Sequence, residues 1–286
     1  MRKLLRKIFD YLYKSKKVLM QRMDLSIHAN EHCNLNCKGC TPFSPIAEEE
    51  YCNLEILDRS LRNLSRVEKG FNEIKIVGGE PLLNRELAKM IKIVRTHFDK
   101  NPIYIWTNGI LLQYPERMPA DFWKACKDYD VSIRITAYPI RLDYARLIDT
   151  CKSNGVQASV FIDKSDEGSG WLSRELNEKG NINFWSKLKI FKLWRCDSYN
   201  CMHLVEDKIF ACSPMGMIKH LNRRFGTDFQ YSTTDFLFVE KIKKFSQIRK
   251  YLFLESPFCR YCPGKYQSSH WDVSKKAKEE WINTSY

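Results

Sequence analysis

Cys33-Asn34-Leu35-Asn36-Cys37-Lys38-Gly39-Cys40 puts three thiols within eight residues, spaced by three residues and then by two. No fourth cysteine follows at once. Thiolate is a soft ligand suited to zinc or to iron–sulfur clusters. A structural zinc site wants four ligands close at hand. Three ligands on a cubane leave one iron open to a small molecule. Downstream, Ile74, Ile76 and Val77 read as an apolar strand that runs into Gly78-Gly79-Glu80-Pro81, 38 residues on from Cys40.

The paired motifs resemble those of the radical S-adenosylmethionine (SAM) superfamily: CxxxCxxC after the first strand and GGE at the end of the second. The resemblance covers roughly residues 23–165. One position departs from the pattern. The family usually carries an aromatic before the third cysteine, and here it is Gly39; Phe43 is the nearby aromatic that could pack on the adenine instead. The resemblance implies that Cys33, Cys37 and Cys40 hold a [4Fe–4S] cluster and that SAM chelates its open iron. Backbone groups of Gly78, Gly79 and Glu80 would orient the methionyl amine; beside that, Asn108 reads as a turn residue or a SAM contact, and Arg134, if it points inward, as a partner of the SAM carboxylate. The implied activity is reductive cleavage of SAM to a 5′-deoxyadenosyl radical that abstracts hydrogen from a substrate.

At 286 residues the chain can hold one large domain, or a medium and a small one. No continuous apolar segment reads as a secretory signal or a membrane span. The expected compartment is therefore the cytoplasm. There clustered cysteines point to metal more than to disulfides, and eleven is an odd number. The net charge is +13. Residues 1–23 account for +7 of it, through Arg2, Lys3, Arg6, Lys7, Lys14, Lys16, Lys17 and Arg22 against Asp10. Leu4, Leu5, Ile8, Phe9, Leu12 and Tyr13 recur there at helical spacing. Residues 1–22 thus read as a basic amphipathic helix, either covering the core or touching an anionic membrane. With the excess charge concentrated in that arm, no nucleic-acid partner is expected.

Strand and helix patterns alternate from Met23 to Lys164, which implies a parallel sheet with right-handed crossovers. Strands are expected at Leu25–Asn30, Glu73–Val77, Ile103–Thr107, Val131–Ala137 and Gln157–Asp163, and a sixth near Leu188–Trp194. The fold class is α/β: a partial (β/α)6 TIM-like barrel over residues 23–190, then a small cysteine-rich module over 191–286. Chemistry in such barrels sits at the C-terminal ends of the strands. Residues 165–187 read as a loop or lid.

The last third carries Cys196, Cys201, Cys212, Cys259 and Cys262, the final two as a CxxC knuckle. Cys201–Cys212 reads as a hairpin turning at Glu206-Asp207. With a two-residue turn, 205 pairs with 208, 204 with 209 and 201 with 212. Two thiols would then face one centre, and Cys259 and Cys262 complete four ligands. Cys196 stands as the alternative to Cys201. The layout resembles the twitch form of the SPASM extension, which holds an auxiliary [4Fe–4S] cluster. A zinc ribbon would use the same residues.

The functional expectation is a radical SAM enzyme with no single catalytic residue assigned. It acts on a small polar molecule such as a sugar, by oxidation or epimerisation, with flavodoxin or ferredoxin as reductant. Two alternatives stand beside it: a peptide- or protein-modifying maturase, and a zinc-binding nucleic-acid or adaptor protein.

Overall fold

A computed structural model describes residues 22–162, 170–173, 175–180, 196, 201–254, 256–263 and 267–283. The amphipathic arm (apart from Arg22), Asp163 and the sixth strand expected near Leu188–Trp194 lie outside the described residues. The strands are β1 (Met23–His28), β2 (Phe71–Val77), β3 (Ile103–Thr107), β4 (Val131–Thr136), β5 (Ala158–Phe161), β6 (Gly170–Ser173), β7 (Cys201–Val205), β8 (Lys208–Phe210), β9 (Phe236–Phe238) and β10 (Gln267–His270). The helices are α1 (Leu54–Leu64), α2 (Leu87–His97), α3 (Phe122–Asp128), α4 (Tyr144–Ser153), α5 (Ser213–Phe225) and α6 (Phe245–Phe253).

One eight-stranded sheet runs β5-β4-β3-β2-β1-β7-β8-β9. β1 to β5 pair in parallel, with α1 to α4 as crossovers for the first four steps. β7 is a sixth parallel strand, but it joins the free edge of β1 rather than that of β5. The sheet therefore continues across the boundary expected near residue 190. β8 and β9 extend it antiparallel. The hairpin register is Val205 with Lys208, Leu204 with Ile209 and His203 with Phe210, the pairing read from the turn at Glu206-Asp207. Of the 165–187 stretch read as a loop, Gly170–Ser173 is strand β6, paired with β10.

Period-two alternation explains how the sheet is covered. Leu25 and Ile27, Ile74 and Ile76, Ile103 and Ile105, Ile133 and Ile135 all turn to one face and are buried there. α1 lays Leu57, Leu61 and Leu64 on that face. Its start is fixed by Asn53, whose side chain accepts from the N–H groups of Glu55 and Ile56, each at 3.0 Å. Each such buried apolar side chain contributes about 1.5–3 kcal/mol. The other face is concave and carries Ser26 and His28, Lys75 and Val77, Tyr104 and Trp106, and Arg134.

A second core joins α5 to both ends of the molecule. Phe43, Phe210, Met215, Phe258, Tyr261 and Trp281 pack there. Phe43 is 1% exposed, with a left-handed φ of 62°, and its ring meets Trp281 edge-on at 6.5 Å. It serves this core; no adenine-packing surface remains on it. Among the described residues no helix is long and apolar enough to cross a membrane.

Candidate functional site

The first cysteine loop leaves the C-terminal end of β1. Cys37 is buried, and Cys33 and Cys40 are half-buried. Burial is the main cause of their raised thiol pKa values: Cys33 is pushed up to about 12, Cys40 to about 11, and Cys37 further. Glu80 and then Cys40 act on Cys33 as like charges, and Cys40 and Cys33 act so on Cys37. Without a positively charged guest the three are neutral, so loading a metal centre releases protons.

The glycine motif locks this loop in place. The N–H of Gly79 donates to Asn30 O at 3.1 Å, and that of Glu80 to His32 O at 3.0 Å. A Cβ on Gly79 would lie 1.9 Å from His32 O, and one on Gly78 2.3 Å from Asn30 O. The glycines are thus required by the close approach of two backbones. Both N–H groups being engaged, carbonyl oxygens are what this turn can offer to a ligand ammonium.

Glu80 faces inward, fully buried. Its carboxylate accepts from Leu82 N at 3.1 Å, Thr107 Oγ1 at 2.7 Å and Asn108 N at 2.8 Å. Burial still raises its pKa to about 7. Glu80 thereby ties β2 to β3 and presents Asn108 to the cysteine loop. Asn108 Nδ2 donates to Asn34 Oδ1 at 2.8 Å and lies 3.7 Å from Cys33 Sγ. Tyr138 closes another side. Its hydroxyl is raised well above its usual value by burial and then by Cys37, Cys40 and Cys33.

Arg134 points to the concave face. Nη1 donates to Glu73 Oε1 at 3.0 Å, and the guanidinium lies 3.5 Å from the Tyr104 ring centroid. Lys75 pairs with Asp24 at 2.7 Å and Glu73 at 3.3 Å. Two cations and two carboxylates thus balance on the barrel floor, and Arg134 is already engaged there. In the row above, sheet register places His28, Val77, Trp106 and Arg134 side by side. His28 Nε2 meets His203 Nδ1 at 2.8 Å. Burial lowers His28 to about 3 and His203 to about 4, so both rings are neutral. His28 Nδ1 and Trp106 Nε1 are buried with no hydrogen-bond partner.

The second set converges through α5. Cys196, Cys212, Cys259 and Cys262 line one cavity together with Leu176, Met215 and Phe258. Cys212 is the N-cap of α5, and its pKa is raised by burial and then by Cys196, Cys262 and Cys259. Cys196, the alternative ligand at the sequence level, is the thiol seen beside the other three. Cys201 opens β7 opposite Asp24; its side chain lies outside the described residues.

The described residues hold one trio of ligand atoms converging within 4.8 Å, Glu31, Glu50 and His220. Lys219 already sits between its carboxylates, 3.0 Å from Glu31 and 2.5 Å from Glu50. Neither cysteine set is as tight. A zinc ion with bonds of about 2.3 Å would draw its sulfurs to about 3.8 Å from one another.

Sequence reading missed Trp271 and Trp281. Trp281 Nε1 donates to Cys40 O at 2.9 Å, and Trp271 borders Cys37. Both contacts span more than 230 residues of chain, and no local pattern marks them.

A 4Fe-4S single cluster domain family matches residues 24–136. The match covers the stretch that carries both the cysteine loop and the Gly78-Gly79-Glu80 turn. The GTP 3′,8-cyclase of Clostridium acetobutylicum is 37% identical over 103 residues, 35% of this chain and 31% of the cyclase. Molybdenum cofactor biosynthesis protein 1 of Dictyostelium discoideum is 37% identical over 90 residues, 31% of this chain and 14% of that protein. The chain thus spans less than a third of the length of these curated relatives. Among solved structures, BtrN in complex with AdoMet and 2-DOIA aligns over 91% of this chain and 97% of its own, at 16% identity and a TM-score of 0.49. A likeness that distant transfers neither substrate nor reaction. The description of the matching family names a single 4Fe-4S cluster.

Proposed function

We propose that this chain is a radical SAM enzyme, with its first cluster on Cys33, Cys37 and Cys40 and an auxiliary cluster on Cys196, Cys212, Cys259 and Cys262. One observation carries the reading. The three loop thiols gather at the C-terminal end of β1, and the Gly78-Gly79 turn and Asn108 fix the backbone around them. With the first cluster bound, the centre supplies a 5′-deoxyadenosyl radical from SAM. The protein's own part is positional. Carbonyl oxygens at the Gly78-Gly79 turn receive the methionyl ammonium, Asn108 orders the cysteine loop, and Tyr138 shields the thiols from water. The chain's electrons come from a small one-electron donor of the flavodoxin or ferredoxin kind.

The concave floor favours an uncharged polar substrate. Its cations are paired with Asp24 and Glu73, whereas the buried His28 Nδ1 and the Trp106 Nε1 donor are left to bond hydroxyl groups, which both donate and accept. A sugar or related polyol, oxidised or epimerised, fits that lining. A nucleotide substrate is the second reading, favoured by the relatives named GTP 3′,8-cyclase. A cytoplasmic setting and a membrane-surface role for residues 1–22 remain part of the proposal.

Anaerobic reconstitution tests the cluster assignment. About eight irons per chain are expected. Replacing Cys33, Cys37 and Cys40 by alanine should remove about four of them and abolish 5′-deoxyadenosine formation from SAM and dithionite. Cleavage that persists in the triple variant overturns the reading. Deuterated polyols and GTP are then compared as sources of deuterium in 5′-deoxyadenosine, and label from GTP alone would favour the nucleotide reading.

A further inference from the structure

We infer that Trp271 sets the redox poise of the first cluster by donating an N–H···S hydrogen bond to Cys37 once that sulfur binds iron as a thiolate. The inference rests on the ligand assignment proposed above.

The backbone holds Trp271 there. Cys37 and Val273 form an antiparallel bridge. Lys38 N donates to Asp272 O at 2.9 Å, and Ser274 N donates to Asn36 O at 2.8 Å. Residues from the two ends of the sequence are thus zipped together across the middle cysteine of the motif. The indole lies 6.4 Å from the Tyr138 ring, centroid to centroid. Its N–H is buried and has no hydrogen-bond partner, sulfur included. A donor buried that way costs about 1–3 kcal/mol, so a native structure retains it where a bound group supplies the acceptor. The bridge to Cys37 and the two backbone bonds beside it set the indole next to that sulfur.

A neutral thiol accepts weakly. A thiolate bound to iron carries charge and accepts strongly. One electron from the external donor makes the cluster and its sulfurs more negative, with no bond broken and no proton moved. An N–H aimed at that sulfur stabilises the reduced form more than the oxidised form, which raises the potential. Trp271 is therefore a positioning residue. It makes the first cluster easier to reduce and leaves SAM to the other groups.

The test compares reconstituted wild-type protein, Trp271→Phe and Trp271→His by electron-paramagnetic-resonance redox titration, with iron and sulfide counts. The first cluster's signal is recognised as the one that SAM perturbs. Trp271→Phe should keep its full iron and titrate at a more negative potential; Trp271→His, which restores a ring N–H, should move back toward wild type. An unchanged midpoint in a fully loaded Trp271→Phe overturns the inference. Loss of iron in both variants also overturns it, because the ring would then act by packing alone. Wild-type protein that takes up no cubane overturns the ligand assignment instead.

Discussion

Gly79 shows how narrow the tolerance is at single positions. A methyl group there meets the carbonyl of His32, which is backbone and cannot rotate away. Gly79→Ala should cost roughly 1–3 kcal/mol and lower iron occupancy at the first site, read by calorimetry and metal analysis. His28 gives a pH prediction. Its pKa is about 3 in the folded protein against 6.5 for an ordinary histidine, because burial disfavours the charged ring and His203 adds to the penalty. Below about 6.5 the unfolded chain takes up a proton that the folded chain refuses. The stability that comes from keeping His28 neutral is complete above that pH and is lost as pH falls toward 3. Other groups face this ring too: Glu31 opposes the shift, while His220 and Lys219 reinforce it. Melting temperatures of wild type should therefore fall more steeply from pH 6.5 to 4 than those of His28→Gln.

At the scale of elements, local pattern foretold local pairing. The β7–β8 hairpin has the register that a two-residue turn at Glu206-Asp207 demands, and Ile103–Thr107 is the strand its β-branched run suggests. The neighbour of Cys212 in space was beyond that logic. Pairing 201 with 212 assumed that the hairpin continues, but β8 ends at Phe210 and Cys212 turns into the cap of α5. The thiol that reaches Cys212 is Cys196, from a segment with no periodicity to read. Cys196→Ala should lose about four irons, and Cys201→Ala should keep them; the reverse result in iron analysis restores the hairpin pair. Trp281→Phe keeps the packing but removes the bond to Cys40 O. It should cost about 0.5–1.5 kcal/mol in urea unfolding.

Across the whole molecule, the αβ alternation announced a parallel sheet but not its closure. Hydrophobic period says that β7 is a strand and leaves open whether it joins β5 or β1. The choice of β1 follows from what packs behind it. α5 follows β8 directly, and its His220 and Lys219 reach Glu31 beside the cysteine loop. Trp271 and Trp281 were illegible for the same reason: their contacts are set by where the chain returns.

That return has a consequence for synthesis. The ribosome delivers residues 33–40 long before residues 271–283, yet the later segment supplies Asp272, Val273, Ser274 and Trp281 as neighbours of the earlier one. A nascent chain halted before its final stretch would present its cysteine loop uncovered. Iron insertion that lasts should therefore follow, rather than accompany, translation.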